Sequence, residues 1–96
     1  MSLSDAHTTI QKFSSIADGM PVSYALTYLE VARDEGLSIT TLAERTDMPL
    51  STISRVVSAL SDDKKYNLLN VSIASDEKRR KIINLTPRGK DFLKSL

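Results

Sequence analysis

The sequence predicts a mainly α fold with a small antiparallel sheet (α+β), and three observations carry that expectation. Apolar residues recur at helical spacing in five separate segments. Two of these segments, between Ile39 and Leu60, meet at Asp47-Met48-Pro49, where proline and the residue before it disfavour a continuing helix. Nearer the C-terminus the apolar spacing changes to alternation on either side of a charged turn. About five helices and two to three strands are expected, in a single domain spanning 1–96 with one modest core.

Ser4 is placed to cap a first helix over 5–17, with Ile10, Phe13, Ile16 and Ala17 on one stripe. Asp18-Gly19-Met20-Pro21 breaks it, and a second helix over 22–35 follows. Val22, Ala25, Leu26, Leu29 and Ala32 form its expected core-facing stripe, widened by Tyr28 and Val31, and Gly36 ends it. Leu37-Ser38-Ile39 suits a brief strand, after which Thr40 or Thr41 can cap the third helix. Leu42, Ala43 and Thr46 share a face of that helix. Ala43 is small enough for a close helix crossing, and Ile53, ten positions on, suits a fourth helix packing back across it.

The fourth helix is expected over 50–61, with Ile53, Val56, Val57 and Leu60 inward. Residues 40–61 thus carry the pattern of a helix-turn-helix, whose second helix can enter a DNA major groove. Its outward residues are Ser51, Thr52, Ser54, Arg55 and Ser58. Short polar side chains let a helix approach phosphates and base edges, and arginine can bond guanine through two hydrogen bonds. The plain alternative is a solvated helix face. Serine and threonine form helices poorly, so their concentration on an exposed face favours the functional reading.

A polar connection, 62–67, leads to Leu68–Ala74, where Leu69, Val71 and Ile73 alternate with Asn70 and Ser72. Lys81–Leu85 reads as the partner strand, with Ile83 and Leu85 in phase. The charged tip between them makes 68–85 a β-wing with a basic loop over 75–81. Such a loop can follow the DNA backbone or enter a minor groove, where arginine is favoured. Arg79 and Arg80 suit that role, while Lys64, Lys65, Lys78 and Lys81 suit phosphates. Thr86-Pro87 opens the last helix as cap and first residue, with Phe92, Leu93 and Leu96 on its apolar edge.

Net charge is only +1, but it is unevenly spread. Residues 1–49 carry three basic against seven acidic side chains, and residues 50–96 carry ten against five. One positively charged face is therefore expected. The absence of cysteine fits a reducing interior. With no spanning apolar run and no signal peptide, a cytoplasmic protein without membrane association is expected. Catalysis is not. The lone histidine, His7, has no partner at ligand spacing, and no phosphate loop, nucleophile motif or zinc spacing occurs. No metal and no cofactor is called for.

Residues 39–89 resemble the winged-helix domain of the MarR (multiple antibiotic resistance regulator) family. The likeness rests on LAERTDMPLSTISRVVSAL and on the wing-to-helix run EKRRKIINLTPRG. Family members show an acidic residue, one intervening residue and an arginine in the wing, then a hydrophobic strand ending Leu-Thr-x-x-Gly. Glu77, Arg79, Leu85, Thr86 and Gly89 occupy those positions. Asp47 stands where helix-turn-helix proteins often have glycine, and the connection into the wing carries Lys64-Lys65-Tyr66-Asn67 in place of a glycine.

The resemblance implies a winged helix-turn-helix and a sequence-specific double-stranded DNA-binding transcriptional regulator, expected to be a homodimeric repressor. It also implies a short form, because relatives continue into long C-terminal dimerisation helices and one short helix stands there in this sequence. Helix 5–17 and the C-terminal helix are the expected dimer surface, since their apolar stripes otherwise lack a core to join. Many relatives respond to small aromatic acids. Tyr24, Tyr28 and Phe13 are candidates to line such an effector cavity, with core packing the favoured role and nothing else supporting an effector. The alternative function is a winged-helix protein-interaction module that does not bind DNA.

Overall fold

The computed structural model describes residues 2–16, 19–74 and 80–96. Their order is α1 (Leu3–Ile16), α2 (Val22–Arg33), β1 (Leu37–Ser38), α3 (Ile39–Thr46), α4 (Leu50–Ser61), β2 (Leu69–Ile73), β3 (Lys81–Leu85) and α5 (Pro87–Ser95). The strands form one antiparallel sheet in the order β1-β3-β2. Leu37 pairs with Ile83 on one edge of β3, and Leu69 to Ile73 pair with Leu85 to Lys81 on the other. Five helices with a three-stranded sheet is the architecture the sequence predicts.

The core lies where α2, α3 and α4 meet the base of the sheet. Tyr28 and Val31, Leu42 and Ala43, and Ile53, Val56, Val57 and Leu60 close on Leu68, Leu69, Ile83 and Leu85. Each large aliphatic side chain buried there contributes about 1.5–3 kcal/mol, so the α3–α4 pair is held by its apolar faces. Its outer face is left to function.

Two helices start elsewhere than the sequence suggests. Ser2, not Ser4, caps α1, its Oγ accepting from the Asp5 N–H at 3.1 Å. Ser38, not Thr40 or Thr41, caps α3, its Oγ accepting from the Thr41 N–H at 3.2 Å. The reason for the second is the strand. Leu37 and Ser38 pair with β3, so α3 begins directly after them. The prediction for α5 holds, with the Thr86 hydroxyl accepting from the Gly89 N–H at 2.9 Å and Pro87 in the first turn.

The buried face of α2 is also turned from the expected one. Ala25, Thr27, Tyr28 and Val31 point inward, whereas Val22 is 66% exposed and Leu26 and Leu29 face outward. Apolar residues ring this helix nearly completely, so spacing alone cannot choose the face. The bulk of Tyr28 chooses it. α2 ends at Arg33, before Glu35, and Gly36 supplies the positive φ of +88° that turns the chain into β1. In β2 only Leu69 is buried; Val71 and Ile73 (56%) are exposed because the outer hairpin runs past the core.

The apolar stripes of α1 and α5 do have an intramolecular partner, contrary to the reason for assigning them to a dimer. Phe13, Tyr28 and Phe92 meet edge to face, with centroids 5.7, 5.1 and 5.5 Å apart for the pairs 13–28, 13–92 and 28–92. Lys12 Nζ also reaches the Ser95 carbonyl. Leu3 and Ile10 on α1 and Leu93 on α5 stay exposed.

Candidate nucleic-acid interface

The turn between α3 and α4 sets the direction of α4. Asp47 ends α3 in the left-handed conformation (φ 55°, ψ 39°), where the missing glycine would have stood. Its N–H bonds the Glu44 carbonyl at 3.2 Å, and the Met48 N–H bonds that of Ala43 at 3.1 Å, closing the helix end. Pro49 then precedes α4 with φ −57° and ψ 147°. Aspartate tolerates this region better than most side chains, so the tight turn forms without glycine.

On α4, Ile53, Val56, Val57 and Leu60 are buried, and Ser51, Ser54, Arg55 and Ser58 are exposed on the opposite face. These four fall at i, i+3, i+4 and i+7, one continuous stripe. Thr52, expected outward with them, is half-buried. It lies about 100° further round the helix than Ser51, on its flank. Leu50 was not singled out from the sequence, yet it is 50% exposed at the first position of α4. Its place directly after Pro49 was the available signal.

Beyond α4, Lys64 and Lys65 are exposed on a turn in which the Asp62 carboxylate accepts from the Lys64 N–H at 2.9 Å. Asn67 takes φ 51°, bending the connection into the wing without glycine. The Thr86 hydroxyl donates to the Asn67 carbonyl at 2.6 Å, and the Thr86 N–H to that of Leu68 at 3.1 Å. These bonds fix the base of the wing to the start of α5. Further out, the Ala74 N–H donates to the Arg80 carbonyl at 2.8 Å, with Arg80 and Lys81 exposed. Lys78 and Arg79, with most of the expected basic loop, lie outside the described residues.

The ion pairs among the described residues, Glu30–Arg33 and Asp34–Arg45, lie on α2, α3 and the segment between them. Neither uses Arg55, Lys64, Lys65 or Lys81. Among the described residues, these positive side chains of α4, its following turn and the wing form no ion pair. Phe13 and Tyr28 are core residues, as favoured. Tyr24 instead meets Tyr66 edge to face at 5.6 Å, beside a cavity of about 360 Å³ shared with Ile16, Ala59 and Lys65. Among the described residues, no three metal-ligating side chains converge, and no helix is long and apolar enough to cross a membrane.

Residues 31–63, from the end of α2 through α4, match the IclR helix-turn-helix domain. No curated protein matches the sequence. Solved structures do. A probable transcriptional regulator from Pseudomonas aeruginosa is 26% identical, with a TM-score of 0.68 over 93% of this chain and 66% of that one. A MarR-family transcriptional regulator from Silicibacter pomeroyi is 22% identical, with a TM-score of 0.69 over 91% and 55%. The PcaV transcriptional regulator from Streptomyces coelicolor is 21% identical, with a TM-score of 0.71 over 94% and 65%. The chain spans from just over half to about two thirds of the length of these structures. It has the winged-helix fold of MarR-type regulators.

Proposed function

We propose that this chain is a sequence-specific double-stranded DNA-binding transcriptional regulator of the MarR type, acting as a homodimeric repressor. The observation that carries the reading is the outer stripe of α4, Ser51, Ser54, Arg55 and Ser58. It is an exposed polar face on the second helix of a helix-turn-helix, and none of its residues forms an ion pair among the described residues. Arg55 bonds a guanine edge, and the serines let α4 lie deep in the major groove, with Thr52 on its flank reaching phosphate. Lys64, Lys65, Lys78 and Lys81 contact phosphates, and Arg79 and Arg80 carry the wing along the backbone or into the minor groove.

The dimer rests on the part of α1 and α5 that the intramolecular ring cluster leaves uncovered. Leu3, Ala6 and Ile10 follow a three-four spacing along α1, and Leu3 and Ile10 are exposed among the described residues. A helix of this length is marginal alone in water, so a second copy packed on Ile10 and Leu93 supplies what it lacks.

Selection of bound duplexes from a random oligonucleotide pool, followed by anisotropy titration at two salt concentrations, tests the reading. A palindromic consensus, and binding that is largely lost with about a threefold rise in salt, is expected. Enrichment of no sequence, with salt-insensitive capture of another protein, would instead identify an interaction module.

A further inference from the structure

Among the described residues, the exposed large apolar side chains lie on α1, α2, β2 and α5, with one exception. Leu50 is on α4 itself, at its first position, with half of its surface in solvent. It precedes Ser51 and stands one turn before Ser54, at the end of the polar stripe. The first residues of the second helix in a helix-turn-helix are those that meet base edges. An apolar group there has no use for a phosphate, and its surroundings reject one. Leu50 lines a groove with Ala43, Met48 and Pro49 that is also edged by the carboxylates of Glu44 and Asp47. Glu44 and Asp47 carry negative charge beside Leu50, which disfavours a phosphate there. Ala43, Met48 and Pro49 give the leucine an apolar bed that limits where it can point.

The major groove displays one apolar group, the C5 methyl of thymine. We propose that Leu50 reads a thymine methyl group, adding an apolar base contact to the polar ones of Arg55 and the serines. The proposal rests on the DNA-binding reading above. Polar residues on α4 distinguish bases by hydrogen bonds, whereas Leu50 distinguishes thymine from every unmethylated base by contact area. It therefore fixes an A·T pair at one position of each half-site, next to the pairs met by Ser51 and Ser54.

The experiment is a thymidine-to-deoxyuridine scan of the selected duplex, because the exchange removes the methyl group and nothing else. Wild-type protein is expected to lose roughly three- to tenfold in affinity at one thymine per half-site, the ratio for one methyl group taken out of an apolar contact. Leu50→Ala is expected to bind the thymine and uracil duplexes equally, and Leu50→Met to keep the discrimination. Indifference of the wild type to uracil at every position, a consensus without a thymine, or the same uracil loss in Leu50→Ala as in wild type overturns the assignment. The wild-type scan is decisive even if Leu50→Ala fails to fold. Failure to bind any duplex would remove the DNA-binding reading as well, whereas binding that ignores the methyl group removes this inference alone.

Discussion

The Tyr28 hydroxyl on α2 donates a 2.6 Å hydrogen bond to the carbonyl of Gly89 on α5, joining residues 61 apart in sequence. The same glycine gives its N–H to the Thr86 cap, and a Cβ built on it would collide with the Leu68 carbonyl. Leu85-Thr86-Pro87-Arg88-Gly89 is therefore a clasp. Thr86 ties the wing base to α5, and Gly89 lets α5 pass close enough to reach α2. Gly89→Ala is expected to destabilise the fold by about 1–3 kcal/mol, because backbone, not a flexible side chain, must yield. Tyr28→Phe should cost about 0.5–1.5 kcal/mol by removing that buried hydrogen bond. Chemical denaturation of both variants checks this; wild-type stability in Gly89→Ala would refute the close approach.

Burial of Tyr28 has a pH signature. Desolvation pushes its phenol from 10.0 up to about 12. The folded chain therefore keeps a proton that the unfolded chain has already released. Stability from this source is fully present below pH 10 and is lost as pH rises through about 12. In a phenolate absorbance titration, Tyr28 should give a late phase that Tyr28→Phe abolishes. The variant should also lose less stability than wild type across the same window.

Asp47 carries the backbone strain of the α3–α4 turn, at φ 55°. Glycine adopts this conformation without a steric penalty, and β-branched residues adopt it at a high one. Asp47→Gly should leave stability unchanged or raise it by up to about 1 kcal/mol, whereas Asp47→Val should lower it by about 1–2 kcal/mol. Thermal melts of the pair give the sign directly. A Val variant as stable as the Gly variant would mean that the turn is not left-handed at this residue.

What could be read from the sequence follows from how local each signal is. The helix-turn-helix was legible because Ile53, Val56, Val57 and Leu60 fix one face of α4, and burial of all four makes the opposite stripe the exposed one. Thr86-Pro87 and the alternation at Ile83 and Leu85 are equally local. The face of α2 was not legible, since its choice depends on a ring that bonds a residue 61 positions away. Nor was the role of Glu35, whose carboxylate accepts from the Leu85 N–H at 2.8 Å and so satisfies the end of β3 beyond β1. For the site, the polar stripe was legible from helical spacing, whereas the exposure of Leu50 was signalled only by its place after Pro49. Helical spacing assigns a leucine three residues before Ile53 to the core, yet Leu50, at the first position of α4, is half exposed.

The division of labour between α4 and the wing makes the sharpest prediction about binding. Arg55 is the one long basic side chain on the outer stripe of α4, whereas Lys64 and Lys65 lie exposed on its following turn and Lys81 on β3. A side chain that bonds base edges contributes to affinity and to sequence preference together. One that meets phosphate contributes to affinity alone, with a share of the salt dependence. Arg55→Ala should cost about 1–3 kcal/mol on the selected duplex and relax preference at one base pair. Lys81→Ala and Arg79→Ala should weaken binding to all sequences alike, each lowering the slope of log affinity against log salt by about 1. Competition titrations with selected and scrambled duplexes separate the two patterns. A uniform loss in Arg55→Ala would place it on phosphate and shift base reading to the serines and Leu50. An unchanged affinity in all three variants would take this face of the fold out of DNA binding altogether.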